Sequence, residues 1–125
     1  MIDEQPIDVV RRFCDAWERK DLDEIIGFFS DGAVYHNIPL APVVGPDQIR
    51  ATIEGFSGGV EKIEFIVDNI AASGGTVLTE RRDIFTFANG VIDLPVMGTF
   101  EVVDGEITAW RDYFDMNQFM SQVPA

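Results

Sequence analysis

Apolar residues recur at helical spacing in the first part of the chain. Across residues 6–20 they fall three and four positions apart, which predicts an amphipathic helix. Asp21 fits the start of a second helix, which should continue to the Asp-Gly pair at 31–32. A short strand is predicted over residues 33–37, and a third helix over residues 46–56, between a proline and two glycines.

From residue 62 the apolar spacing changes to every second position, which is typical of strands with one buried face. An Asn-Gly pair at 89–90 is a strong hairpin signal between two of these strands. The predicted strands and the final helix cover residues 62–73, Thr76–Phe87, 92–102, 106–115 and Met116–Gln122. Helices followed by antiparallel strands, with the 33–37 strand at an edge, predict an α+β fold with a cone between helices and sheet. If that cone is wider than its side chains can fill, it is a ligand pocket.

The strand Thr76–Phe87 has an unusual buried face. Alternation places Arg81 and Asp83 on the same side as Val77 and Phe85, so an ionic centre lies within an apolar face. Charges facing an interior are costly unless they are paired. A structural ion pair is the ordinary explanation of one such motif, so other strands decide whether it has a function.

Two further strands direct polar side chains toward the same interior. Asp112 alternates with Trp110 and Phe114 on the last strand, and Tyr35 shares a face with Asn37 on the short strand. These polar side chains come from three separate strands of a chain otherwise rich in Phe, Val and Ile. Their convergence favours a functional site over independent structural roles.

Composition limits the chemistry that such a site can perform. The chain has 125 residues, expected to form a single domain over 1–125, and a net charge of −13, which disfavours nucleic acid and anionic membranes as partners. One histidine excludes multi-histidine zinc sites, and GxGxxG and GxSxG motifs are absent. An acidic N-terminus and the lack of a long apolar run favour a cytoplasmic protein. Chemistry would therefore use carboxylates, Arg, Tyr and Asn.

Three segments carry a resemblance to a known family. TERRD at 79–83, VYHNIPLAP at 34–42 and ITAWRDYFD at 107–115 resemble the limonene-1,2-epoxide hydrolase family, within the NTF2-like and SnoaL-like domains. The resemblance implies an NTF2-like cone: a curved, mixed but mainly antiparallel sheet, with three or four helices packed on its concave face and a deep apolar pocket. It also implies a homodimer and the hydrolysis of a small, neutral, apolar epoxide without metal, other cofactor or covalent intermediate.

The same resemblance implies a role for each polar residue. Asp112 would be the general base that takes a proton from water, with Tyr35 and Asn37 holding that water. Asp83 would be the acid that protonates the epoxide oxygen, and Arg81 would bond both carboxylates. The implied apolar pocket wall consists of Cys14, Trp17, Phe56, Phe85, Leu94, Val96, Phe114 and Phe119.

Two other functions stay open on the sequence. Ketosteroid isomerases and polyketide cyclases also resemble this domain and use an Asp base with Tyr or Asp partners. A module for ligand binding or dimerisation without chemistry would use Arg81, Asp83 and Asp112 as a structural ion network only. The size of the cone distinguishes an enzyme from a module without a pocket, because a filled interior would favour the module.

Overall fold

The computed structural model describes residues 4–124, in which four helices flank a six-stranded sheet. In chain order the elements are α1 Pro6–Arg19, α2 Leu22–Ile26, β1 Phe29–Asn37, β2 Val43–Val44, α3 Pro46–Ser57, β3 Lys62–Ser73, β4 Thr76–Phe87, β5 Gly90–Val103, β6 Glu106–Tyr113 and α4 Met116–Gln122. The predicted bounds of β4 and α4 are confirmed. The α+β class is confirmed as well, with a curved sheet and helices packed against it.

The sheet has the order β2-β1-β6-β5-β4-β3. Neighbouring strands are antiparallel except β1 and β6, which run parallel. The prediction that the short strand lies at an edge was wrong, because Val43–Val44 pairs with it and forms the edge instead. That pairing is only two residues long, and a segment so short has no periodic pattern from which it can be predicted.

The start of β1 also differs from the prediction. The second helix ends at Ile26 rather than near the Asp-Gly pair at 31–32, and Phe29 already pairs with Ile107 of β6. Its predicted start is confirmed, since the Asp21 side chain accepts a hydrogen bond from the Glu24 N–H. At Phe29, pairing with the distant strand β6 thus overrides the local helical spacing that predicted a longer helix.

An aromatic cluster fills one end of the cone between α1 and the sheet. The Phe13 ring on α1 meets Trp110 of β6 edge-on, with ring centroids 4.9 Å apart, and both side chains are fully buried. Each buried aromatic side chain contributes about 1.5–3 kcal/mol through removal of apolar surface from water. This cluster fixes α1 against the sheet and leaves the other end of the cone to the polar residues. Across residues 4–124, no helix is both long and apolar enough to cross a membrane.

Candidate active site

Arg81 lies at the centre of a buried hydrogen-bonded cluster on the inner face of β4. Its Nε and Nη2 donate to the two oxygens of Asp83, at 3.0 and 2.9 Å. Its Nη1 and Nη2 donate to Asp112 of β6, at 3.2 and 2.8 Å. The guanidinium therefore bridges two carboxylates that come from different strands, as the resemblance implied.

Thr79 completes the environment of the guanidinium. The Arg81 Nη1 donates to Thr79 Oγ1 at 3.0 Å, and the threonine hydroxyl donates in turn to the Gly98 carbonyl at 3.3 Å. An arginine side chain has five N–H donors. The five hydrogen bonds to Thr79, Asp83 and Asp112 match that number, so the buried cation is fully partnered.

Aromatic rings surround this cation. Its guanidinium carbon lies 5.0 Å from the Phe65 ring centroid, 5.9 Å from that of Phe100 and 6.0 Å from that of Trp110. Cation–π contacts of this kind strengthen when water is excluded. Arg81 is only 1% exposed, so it has exchanged its hydration for the carboxylates and these rings.

Gly98 of β5 leaves the space that Arg81 occupies. A Cβ atom at this position would lie 2.2 Å from Arg81 Nη1, 2.7 Å from Asp112 Oδ1 and 2.9 Å from Thr79 Oγ1. A glycine within a strand weakens the strand and is typical of places where another group approaches the backbone closely. Here the approaching groups are the cation and its partners.

Tyr35 and Asn37 lie beside Asp112 through the parallel pairing of β1 and β6. Asn37 is in register with Asp112, and Tyr35 is in register with Trp110. The Tyr35 hydroxyl donates to Asn37 Oδ1 at 3.2 Å, and its ring stacks on Trp110 at 4.2 Å. The indole N–H of Trp110 donates to Asp112 Oδ1 at 2.7 Å. The five polar residues named from the sequence therefore converge on one site.

The protonation states in this cluster follow from burial and charge. Burial and, to a smaller extent, the neighbouring Asp112 raise the pKa of the Asp83 carboxyl to about 6, despite the opposing effect of Arg81. Burial and the Asp112 carboxylate also raise the pKa of the Tyr35 hydroxyl well above its usual range. Burial disfavours the charged form of Arg81, but Asp112 and Asp83 hold its pKa well above the usual range. Tyr35 is thus neutral and Arg81 charged, while Asp83 can carry a proton near neutral pH.

An apolar cavity of about 130 Å³ opens onto these groups. Its polar lining consists of Tyr35, Asn37, Asp83 and Asp112. Six of the eight pocket-wall residues implied by the resemblance line it: Phe56, Phe85, Leu94, Val96, Phe114 and Phe119. The sequence interpretation did not include Leu40, Phe65 and Met116, which also line it.

Cys14 and Trp17 require a correction, because the structure places them in the core rather than on this cavity wall. Trp17 stacks on Phe65 at 4.6 Å, and Phe65 is the residue that lines the cavity. Cys14 is fully enclosed, and burial raises the pKa of its thiol to about 12. A buried helix stripe looks the same in sequence whether it faces a core or a cavity, which explains the error.

The cluster does not have the composition of a metal centre. Among residues 4–124, no group of three or more His, Cys, Asp and Glu side chains is arranged to hold a metal ion. The two carboxylates instead bond to one guanidinium, which supplies the positive charge between them. Such an arrangement suits proton transfer by a carboxylic acid and a carboxylate.

Comparison with known sequences identifies the family. The family model described as the limonene-1,2-epoxide hydrolase catalytic domain matches residues 4–125. The chain belongs to the limonene-1,2-epoxide hydrolase family. Epoxide hydrolase EphG of Mycobacterium tuberculosis is 35% identical over 107 residues, which make up 86% of this chain and 71% of that protein.

Solved structures agree with the family and with its wider fold. An LEH-like epoxide hydrolase of Mycobacterium tuberculosis superposes with a TM-score of 0.81 and 33% identity, over 93% of this chain and 86% of that chain. A putative polyketide cyclase of Xanthomonas campestris has a TM-score of 0.85 at 17% identity, covering 94% of this chain and 96% of its own. The second similarity concerns the NTF2-like and SnoaL-like fold alone.

The sequence did not lead us to expect the contacts that Thr79, Gly98 and Trp110 make with Arg81 or Asp112. Each of these residues nevertheless has a feature in the sequence that could have indicated its contact. Thr79 precedes Arg81 by two positions on the same strand face, and Trp110 precedes Asp112 in the same way. Gly98 interrupts an otherwise apolar strand face, which is typical of close approach by another group.

Proposed function

We propose that the protein hydrolyses a small, neutral, apolar epoxide to a vicinal diol by direct attack of water. The observation that carries the proposal is the Arg81 guanidinium, bonded to two buried carboxylates that line an apolar cavity. Membership of the limonene-1,2-epoxide hydrolase family supports the reaction type. The roles of the individual residues and the substrate class are part of the proposal.

In the proposed step, base and acid act at opposite ends of the reaction. Asp112 takes a proton from water while the water oxygen forms a bond to one epoxide carbon. The bond from that carbon to the ring oxygen breaks, and protonated Asp83 gives its proton to the leaving oxygen. An alkoxide is a poor leaving group, so its protonation during ring opening lowers the barrier, and each positioned proton transfer contributes about 10²–10⁴-fold.

The cycle closes when one proton returns from Asp112 to Asp83. After ring opening Asp112 carries the proton from water and Asp83 is ionised, so the diol contains all the atoms of epoxide and water. Arg81 bonds both carboxylates and compensates the negative charge wherever it resides. The pair thus has one proton to share, and its two ionisations are coupled.

Tyr35 and Asn37 have the geometry to hold the attacking water. Asn37 is in register with Asp112, and its side-chain oxygen already accepts from the Tyr35 hydroxyl. An amide oxygen accepts a second hydrogen bond, so it can orient a water that also donates to Asp112. Orientation of this kind lowers the entropic part of the barrier.

The cavity supports a small ring-shaped substrate without charge. Its volume of about 130 Å³ is close to the ~150 Å³ of apolar protein cavities that accept benzene. Beyond the polar groups its wall consists of apolar side chains, five of them Phe. A charged substrate would lose its hydration there without a free counter-ion, since Arg81 is already fully partnered.

The geometry favours hydrolysis over the two alternatives. An isomerase needs donors that converge on a carbonyl oxygen with a lone base opposite, whereas here Asp83 and Asp112 bond to the same guanidinium. The Tyr35 hydroxyl is directed to Asn37. A dimerisation module without a pocket would have a filled interior, which the cavity argues against.

Oxygen-isotope labelling tests the proposal. The protein is incubated with limonene oxide, cyclohexene oxide or styrene oxide in water enriched in heavy oxygen. We expect a diol that carries the label after a single turnover, with none in the protein. Label transferred first to the protein would contradict direct attack, and a folded protein that forms no diol from any of these epoxides would contradict the function.

The rate is expected to fall as the pH rises through about 6, because Asp83 then loses the proton it must donate. The sign follows from burial, which raises the pKa of Asp83 so that its acid form persists to higher pH. We would measure kcat/KM from about pH 5 to about pH 8, subtracting acid-catalysed opening in buffer at each pH. A rate that stays level or rises across this range would contradict Asp83 as the acid.

The homodimer is also a proposal. On the face of the sheet opposite α1, Leu78, Met97 and Tyr113 are each about half exposed, with Met97 and Tyr113 paired across β5 and β6. Apolar side chains grouped on one sheet face support association of two copies. Sedimentation equilibrium measures this directly. The cytoplasmic location and the independence from cofactors stay predictions.

A further inference from the structure

The indole of Trp110 makes the shortest hydrogen bond to the proposed base. Its Nε1 donates to Asp112 Oδ1 at 2.7 Å, and the side chain is fully buried. Hydrogen bonds to ionised acceptors are about twice as strong as neutral ones. An N–H directed at a carboxylate stabilises its charged form, which is the form a base needs.

The bonds to Asp112 distinguish its two oxygens. Oδ1 accepts from Trp110 Nε1 and from Arg81 Nη1, whereas Oδ2 accepts from Arg81 Nη2. Each carboxylate oxygen has two in-plane lone-pair sites. Within the described residues, Oδ1 therefore has both sites engaged and Oδ2 has one, so Oδ2 is the oxygen able to receive a proton.

We propose that Trp110 is a positioning residue, which pins Asp112 through Oδ1 and thereby assigns Oδ2 as the proton acceptor. The inference rests on the proposed hydrolysis and names a residue that acts through the base rather than on the substrate. Without the indole N–H, the Asp112 carboxylate could rotate and present either oxygen to the water. Its ionised form would also lose one stabilising hydrogen bond.

Trp110 is well held for this role. Its ring is stacked with Tyr35 at 4.2 Å and with Phe100 at 5.6 Å, and Phe13 meets it edge-on at 4.9 Å. Packing on several sides restricts the indole to one orientation, so its N–H direction is fixed. The same stack places the ring of Tyr35, so one side chain aligns the base with a proposed water-holding hydroxyl.

Other charged and titratable groups face Asp112 and must be considered in any change with pH. Arg81 and Asp83 approach from β4, Tyr35 from β1, and the Cys14 thiol from α1. None of these is altered when the indole is replaced by a phenyl ring. A change in the pH profile of such a variant therefore reports the lost N–H bond.

The test compares Trp110→Phe with Trp17→Phe. The chain has two tryptophans, both fully buried, and the Trp17 Nε1 has no hydrogen-bond partner among the described residues. Both variants lose the same atoms from the aromatic core, but only Trp110→Phe loses a bond to the base. In Trp110→Phe we expect kcat to fall about tenfold, with KM within about twofold of wild type.

The acidic limb of the kcat profile should move to higher pH in Trp110→Phe and stay in place in Trp17→Phe. An unmoved limb in Trp110→Phe, or an equal shift in both variants, would overturn the inference. If the wild-type protein opens no epoxide, the proposed function fails instead. If the wild-type protein opens epoxides but the acidic limb of the Trp110→Phe profile does not move, only the inference about Trp110 fails.

A second measurement needs neither the variant nor turnover. With two tryptophans, the ¹⁵N–¹H spectrum of the wild-type protein has two indole signals. We expect the Trp110 indole N–H, which donates to a carboxylate oxygen, to resonate downfield of the Trp17 indole N–H, which has no hydrogen-bond partner among the described residues. A Trp110 signal upfield of the Trp17 signal would overturn the inference, even if Trp110→Phe fails to fold.

Discussion

The substitution Asp112→Asn is expected to reduce diol formation by about 10³-fold or more while the fold survives. An amide cannot take a proton from water, so the base is lost. The fold should survive because Arg81 keeps Asp83 as a buried counter-ion, bonded through both oxygens. Loss of one charged hydrogen-bond partner should cost about 1–3 kcal/mol of unfolding free energy.

The same substitution should also weaken the acid. Asp112 is one of the groups that raise the pKa of Asp83, and Arg81 lowers it. Removing the negative charge at 112 leaves Asp83 alone with the guanidinium, so its ionised form becomes more favourable. Asp112→Asn is thus expected to remove the base and to deplete the protonated acid, which explains why one isosteric change has so large an effect.

Single-turnover diol formation and urea unfolding together test this prediction. Asp68→Asn is a matched control, because it makes the same change at an exposed position of β3. The control should keep the wild-type rate and stability. Diol formation by folded Asp112→Asn at a rate near wild type would exclude Asp112 as the base.

Local patterns were sufficient to predict the inner face of β4. Strict alternation from Val77 to Phe85 places Arg81 and Asp83 on that face, and the structure confirms that all four are buried. The Asn-Gly pair at 89–90 also predicted that the chain turns back into β5, but it did not predict the register, because the turn residues are Ala88 and Asn89 and Gly90 already pairs with Phe87. Short-range signals were therefore enough for half of the site.

The other half depends on contacts that no local pattern encodes. The parallel pairing of β1 with β6 brings Asn37 beside Asp112, although 75 positions separate them in the numbering. Alternation predicted that both side chains face the interior, and the resemblance to a family implied that they act together, but neither predicted the parallel pairing itself. For Cys14 and Trp17 the apolar helix stripe correctly predicted burial. It could not show whether these side chains face the packed core or the cavity, which lies beyond Phe65.

Gly98→Ala is expected to destabilise the protein by about 3 kcal/mol or more and to abolish turnover in the molecules that remain folded. The added Cβ would lie 2.2 Å from Arg81 Nη1, and the guanidinium cannot move away without breaking bonds to two buried carboxylates.

Alanine normally strengthens a strand relative to glycine, so a loss at this position isolates the steric effect. Gly32→Ala on β1 is the control, because its Cβ would meet no atom within 4 Å. Urea unfolding should give Gly98→Ala a lower free energy of unfolding than Gly32→Ala, and kcat should also be lower in Gly98→Ala. If the Gly98→Ala protein were as stable and active as Gly32→Ala, the Arg81 side chain could be displaced without loss of stability or turnover. The hydrogen bonds from Arg81 to Asp83 and Asp112 would then not be required for catalysis.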